Sequence, residues 1–272
     1  MNKTLYVSDL DETLLRTNET LSPFTVNTIN ALVESGMIFS YATARSYHTA
    51  SQVTKGLSQN LPVIVYNGTF ILENGTQKEL LSNQFENYEL KKLLDTLIQN
   101  RVFPLVYSHL GERERYSYVS NQISRGIQKH LDRRVGDPRQ NPVNDPTALY
   151  KGNVFCITCM DEADKLHPLY EKLKNSFQCM YFRDVYTQEQ WLEIHPSQAT
   201  KANAIVALKD QLSCDRIVCF GNGKNDISMF QIADECYAVG NAVDELKGIA
   251  TDVIDTNDRD GVAKWLLEHY HP

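Results

Sequence analysis

A strand–helix alternation opens the chain, breaks off near residue 84 and resumes after about residue 197. This interruption constrains the fold more than any single motif does. The apolar runs TLYVSD, MIFSYAT and PVIVYNG read as strands. SPFTVNTINALVESG and SYHTASQVTKGL read as helices between them; in the first, Ser22 is the N-cap, Pro23 takes the first helical position and Gly36 is the stop. A β-α-β-α-β series predicts a parallel sheet covered by helices. TFILENGTQKELL follows as a hairpin around Asn74–Gly75. From about Phe85 the order is helix, two strands, helix, the loop GDPRQNPVNDPT, then a strand, a helix and two strands, which predicts an α+β module with an antiparallel sheet. The alternation then returns through TKANAIVALKDQL, RIVCFG, DISMFQIA, CYAVG, TDVID and a closing helix. One α/β domain split by an inserted module is the economical reading.

Composition narrows the partners. A net charge of −7 over 272 residues is a poor basis for neutralising a phosphate backbone, so nucleic acid is not expected as a partner. It leaves room for a small anionic substrate in a locally positive site. The chain has no apolar run long enough to predict a membrane-spanning helix, and Asp9 and Asp11 come too early for a signal-peptide core. Cys156 and Cys159 form a C-x-x-C on a strand, where side chains three apart face opposite ways. Buried, reduced thiols and a cytoplasmic location are expected.

Ligands of an open parallel sheet bind beyond the carboxyl ends of its strands. Asp9 and Asp11 follow the first strand, Thr43 the second, and the loop GNGKND, Gly221 to Asp226, follows RIVCF. Lys201 lies near the start of the helix leading into that strand. These residue types suit phosphoryl transfer. Asp9 is expected to attack phosphorus, helped by a hard divalent cation, Mg²⁺, that reduces the repulsion between two anions. Asp11 would protonate the leaving oxygen and later activate water. Thr43 and the Ala44 backbone N–H, at a helix start, would bind phosphate oxygens. Lys201 would neutralise developing charge. Singly, each has a plainer reading: a turn, a helix cap, a solvated lysine.

Taken together, the motifs resemble the haloacid dehalogenase superfamily, and within it the Cof-type phosphatases. SDLDETLL resembles the D-x-D-G-T-L motif, ATARS the T-G-R segment, and GNGKNDISMF the G-D-G-x-N-D-x-x-M-F loop. WLEIHPSQATKANAI resembles the segment carrying the motif lysine, and IVYNGTFI a recurrent N-G segment. The resemblance implies a Rossmann-like core of residues 1–84 and 191–272, with residues 85–190 as an α/β cap domain. It implies an Mg²⁺-dependent phosphatase working through an aspartyl-phosphate on a small phosphomonoester, a sugar phosphate or a nucleotide or cofactor phosphate. The implied metal set is Asp9, Asp11, Asn222 and Asp226. Arg45, Asn67 and Asn225 join Thr43 and Ala44 on the substrate side.

Two positions depart from the family pattern. Glu12 stands where Gly is usual, which is tolerable if its backbone is not left-handed. Asn222 stands where a metal-ligating Asp is usual, and its neutral amide should weaken the cation, with Asp226 compensating as a ligand or from behind the ligands. That substitution opens a rival reading, a phosphate-binding or regulatory protein on a weakened scaffold; a phosphomutase is a third. In the inserted module, Arg113, Arg115, Arg125, Arg133, Arg134 and Arg139 read first as a solvated basic face. Tyr107, Tyr116 and Tyr118 read first as packing residues, and His195 as structural.

Overall fold

A computed structural model describes residues 3–58, 60, 62–184 and 188–271. The chain divides into two compact units, residues 1–82 with 199–272, and residues 83–198. In chain order the first unit begins with β1 (Thr4–Ser8), α1 (Pro23–Glu34), β2 (Ile38–Tyr41), α2 (Tyr47–Val53), β3 (Val63–Val65), β4 (Phe70–Leu72) and β5 (Glu79–Ser82). The second unit holds α3 (Asn87–Gln99), β6 (Leu105–Leu110), β7 (Arg113–Val119), α4 (Arg125–Asp132), β8 (Gln140–Val143), β9 (Asn153–Asp161), α5 (Ala163–Leu173), β10 (Gln178–Arg183) and β11 (Gln190–His195). The first unit resumes with α6 (Lys201–Gln211), β12 (Arg216–Gly221), α7 (Ile227–Ile232), β13 (Glu235–Val239), α8 (Asp244–Lys247), β14 (Asp252–Ile254) and α9 (Gly261–His269).

The parallel sheet of the first unit runs β14-β13-β12-β1-β2. From β1 the chain winds outward to β2; on its return it enters at β12, on the other side of β1. The strand order therefore reverses between β1 and β12, and the carboxyl ends of strands at such a reversal are where open α/β sheets take their ligands. Asp9 prolongs the pairing, its N–H donating to the Phe220 carbonyl at 2.9 Å. Ser22 caps α1 as expected, its hydroxyl accepting from the Thr25 N–H at 3.0 Å.

The third expected strand does not join this sheet regularly. Ala42 and Ile64 make a single parallel bridge and the Thr43 N–H donates to the Ile64 carbonyl at 3.0 Å, but β3 pairs mainly with β4, and β4 with β5, antiparallel. The reason lies just past β3. Tyr66 and Asn67 have φ of +49° and +54°, which turns the chain back on itself. Gly68, at φ +97°, completes the turn, and a Cβ there would lie 2.1 Å from the Thr200 carbonyl oxygen. Only glycine lets this turn lie against the start of α6.

The sheet of the second unit runs β10-β11-β9-β6-β7-β8, antiparallel except for the parallel β7–β8 pair. Leu90, Leu93, Leu94 and Leu97 of α3 and Leu166, Leu169 and Leu173 of α5 form helical stripes within one core. Two expectations need correction. Residues 140–143 form a strand inside the expected loop; Pro142 is tolerated because β8 is an edge. The second crossing between units falls at 198/199, not 190/191, because β11 is held between β9 and β10. Among the described residues, no helix is long and apolar enough to cross a membrane.

This packing makes two outcomes testable. Gly68→Ala should cost at least about 2 kcal/mol in urea unfolding, through a backbone clash added to left-handed strain; an unchanged midpoint would contradict the close approach to Thr200. His130 in α4 is buried against Trp191 and Tyr116, and burial, then the neighbouring Arg134 charge, lowers its pKa to about 3. A histidine depressed in the folded state contributes stability above its unfolded value, near 6.5, and that contribution is lost progressively as pH falls from there toward 3. His130→Phe should therefore move the acid-unfolding midpoint to lower pH, as followed by circular dichroism.

Candidate active site

Lys201 is the first residue of α6, where a positive charge opposes the helix dipole. Thr200 caps the helix, its hydroxyl accepting the Asn203 N–H at 3.1 Å. The lysine side chain is 1% exposed and its ammonium bridges two buried carboxylates, Asp9 Oδ1 at 2.6 Å and Asp226 Oδ1 at 2.7 Å. Burial pushes the ammonium toward neutrality, but the charges of Asp226 and Asp9 outweigh it and hold Lys201 above its usual value. For Asp9, burial and then the Asp226 charge raise the pKa to about 7 against the pull of Lys201. One ammonium thus leaves this buried acidic pair short of positive charge.

Asp226 is buried and spends its other oxygen, Oδ2, on the N–H groups of Asn222 and Gly223, both at 2.9 Å. Reaching back to N–H groups at the start of its own helical turn is the geometry of half a capping box. Gly221 is needed there, since a Cβ would meet Asp226 Oδ2 at 2.8 Å. Both Asp226 oxygens accept hydrogen bonds from the protein, an arrangement that suits a position behind the ligands. Asn222 lies beside Thr13, whose hydroxyl is 3.0 Å from Asn222 Oδ1 and 3.5 Å from Asp9 Oδ2.

Asp11 and Arg45 form the other half of the site. The Arg45 guanidinium grips Asp11 through Nε (3.0 Å to each oxygen) and Nη2 (2.5 Å to Oδ1), and Nη2 also meets Glu19 Oε2 at 2.8 Å. The Asp11 carboxylate is thus paired here with a cation of the protein itself. Thr43 is fully buried, and its oxygen accepts the Arg45 N–H at 3.1 Å. The Tyr66 N–H donates to the Arg45 carbonyl and the Asn67 N–H to the Thr43 carbonyl, which joins the loops after β2 and β3. Ala44 is exposed, but α2 starts at Tyr47 behind a Ser46 cap, so the helix start expected at Ala44 lies three residues later. Asn225 is exposed on the turn before α7.

Thr13, the only hydroxyl spanning Asp9 and Asn222 among the described residues, carries no sequence signal beyond its place in the D-x-D-x-T run. Nor does the sequence signal Glu19 on Arg45. The basic segment of the second unit is largely committed within that unit: Arg139 to Glu114 and Asp137, Arg115 to the Pro138 carbonyl, Arg134 to His130. Arg113, Arg125 and Arg133 are exposed. Tyr116 and Tyr118 are buried and Tyr107 stacks near Tyr116 at 5.3 Å. His195 is buried, with Nε2 3.7 Å from Cys156 Sγ.

No three Asp, Glu, His or Cys side chains converge as a metal cluster among the described residues. Yet Asp9 Oδ2 and Asn222 Oδ1 are hard oxygen donors flanking one hydroxyl, beside an undercompensated acidic pair. Mg²⁺ binds through one or two such oxygens and keeps water on its remaining positions, so the donor set fits it.

Removing the ammonium tests the electrostatics. Lys201→Met should cost about 3–5 kcal/mol in urea unfolding by leaving two buried carboxylates unpaired, while exposed Lys92→Met stays within about 0.5 kcal/mol. Equal stability of the two variants would mean that the bridge does not hold the site together.

A family profile described as haloacid dehalogenase-like hydrolase matches residues 6–266. The 5-amino-6-(5-phospho-D-ribitylamino)uracil phosphatase YitU of Bacillus subtilis (strain 168) is 25% identical over 290 aligned positions, covering 98% of this chain and 97% of that one. The pyridoxal phosphate phosphatase YbhA of Escherichia coli (strain K12) is 22% identical over 96% of each chain. The crystal structure of TM0651 from Thermotoga maritima superimposes with a TM-score of 0.81 at 22% identity, over 100% of this chain and 98% of that one. With a profile match across nearly its whole length and this site at the switch point of its sheet, the chain belongs to the haloacid dehalogenase-like hydrolase family.

Proposed function

We propose that this chain is an Mg²⁺-dependent phosphatase that hydrolyses a small phosphomonoester, a sugar phosphate or a nucleotide-derived or cofactor phosphate, through an aspartyl-phosphate on Asp9. The carrying observation is the Lys201 ammonium fixed between Asp9 and Asp226. It holds Asp9 by one oxygen and leaves the other, Oδ2, on the side of Thr13 and Asn222. The names of YitU and YbhA, phosphatases of phosphorylated metabolites, support this substrate class. Six free cysteines support a reducing compartment such as the cytoplasm.

Asp9 Oδ2 attacks phosphorus and the bond from phosphorus to the ester oxygen breaks. Asp11 gives its proton to the departing oxygen. In the second half, Asp11 takes a proton from water, the hydroxyl adds to phosphorus, and the Asp9 acyl phosphate bond breaks to release phosphate. Mg²⁺ held by Asp9 and the Asn222 amide oxygen would lessen the repulsion between the carboxylate and the phosphate. Lys201 neutralises charge on Asp9 as it leaves, and Asp226 holds the lysine in place. Thr43 donates its hydroxyl proton to a phosphate oxygen.

Arg45 has a further part. The guanidinium fork occupies both Asp11 oxygens, and Asp11 must present one of them to the departing oxygen to act as an acid. A phosphate dianion offers Arg45 a competing bidentate partner. Turning Arg45 from Asp11 to phosphate would therefore couple substrate binding to release of the acid.

Asp9→Asn should lower hydrolysis of p-nitrophenyl phosphate by roughly 10⁴-fold or more, with an unchanged far-ultraviolet spectrum. Turnover within tenfold of the parent would show that Asp9 is not the nucleophile.

A further inference from the structure

Glu12 combines two features that a turn residue does not need. Its backbone is left-handed, φ +53° and ψ +15°, a conformation that disfavours any residue with a Cβ. Its carboxylate Oε2 lies 3.4 Å from Asn222 Nδ2. The condition under which a side chain here costs nothing, a right-handed backbone, is thus not met. The strained turn is held in place from outside: Asn241 Nδ2 donates to the Glu12 carbonyl at 2.8 Å, and the Asn257 N–H in turn donates to Asn241 Oδ1 at 3.1 Å.

An aspartate at position 222 would present oxygen whichever way it turned. An asparagine presents oxygen at one end and N–H at the other, and an NH₂ turned toward a cation repels it. The Thr13 hydroxyl can donate or accept, so it does not decide between the two orientations. Glu12 does decide, because a carboxylate can only accept and so draws Nδ2 to itself. Oδ1 is then left toward Thr13 and Asp9 Oδ2. Glu12 is exposed, which leaves its carboxylate accessible to a hydrated cation. Asp226 cannot take this part, since Lys201 and two N–H groups occupy its oxygens.

We infer that Glu12 is a positioning residue for the cation: it turns the Asn222 amide oxygen inward and restores next door the negative charge that asparagine lacks. This rests on the Mg²⁺ reading above. Glu12 and Asn222 act as an exchanged pair, the carboxylate having moved from one side of the contact to the other.

The test is an Mg²⁺ titration by calorimetry, with no substrate present, on four full-length proteins: parent, Glu12→Gln, Asn222→Asp and the double variant. With asparagine at 222, Glu12→Gln should weaken Mg²⁺ by roughly tenfold or more. With aspartate at 222, the same change should weaken it less than about twofold or even tighten it, since two carboxylates would otherwise repel each other across that contact. A purely structural Glu12 would shift both backgrounds alike, and that result overturns the inference. So does a Glu12→Gln affinity within twofold of the parent, which leaves the phosphatase reading standing. No Mg²⁺ binding by the folded parent at millimolar concentration overturns both.

Discussion

The bridge from the Lys201 ammonium to Asp9 and Asp226 organises the first unit of this protein. Moving such groups out of water costs several kcal/mol per ion. The cost is offset only when each partner is placed well, and the chain around the bridge is arranged to that end. β1 ends so that Asp9 continues the pairing with β12. Gly221 leaves space for the Asp226 side chain to fold back over the loop, where two N–H groups hold it. Gly68 lets the turn after β3 press against the carbonyl of Thr200, which sets the start of α6 and hence the root of the lysine.

A cation fixed in this way divides labour between the two Asp9 oxygens. One is neutralised and immobilised; the other faces a hydroxyl and an amide. Asp11, two residues on, sits in a different environment, gripped by Arg45 and half exposed. Two carboxylates of the same type thereby occupy different environments, one buried beside an ammonium and the other sharing a guanidinium with Glu19, which supports the different tasks proposed for them. In paired-carboxylate enzymes a difference in environment of this kind separates nucleophile from acid.

Much of this was legible beforehand. The Ser22 cap, the strand runs ending at Asp9 and Gly221, and the split alternation follow from local patterning, which acts over a few residues and leaves a periodic trace. The gathering of Asp9, Thr43, Lys201 and the GNGKND loop could be anticipated, since an open parallel sheet places strand ends together. Less legible were β8, where proline masks an edge strand, and the irregular attachment of β3, where Tyr66 and Asn67 adopt positive φ that their residue types do not announce. The boundary near residue 198 was hidden for a related reason: β11 belongs with β9 through pairing, which sequence spacing does not record.

The sequence by itself determined the fold class, the set of oxygen and nitrogen groups available at the strand ends, and the two departures at positions 12 and 222. Only the tertiary structure decided which group meets which. It gave Asp226 to Lys201 and two N–H groups, gave Asp11 to Arg45, and brought Glu12 to Asn222 across 210 residues. The physical reason is range. Propensity and capping depend on near neighbours, whereas ion pairing and hydrogen-bond assignment depend on distances of about 3 Å between groups far apart in the chain, which only the folded backbone sets.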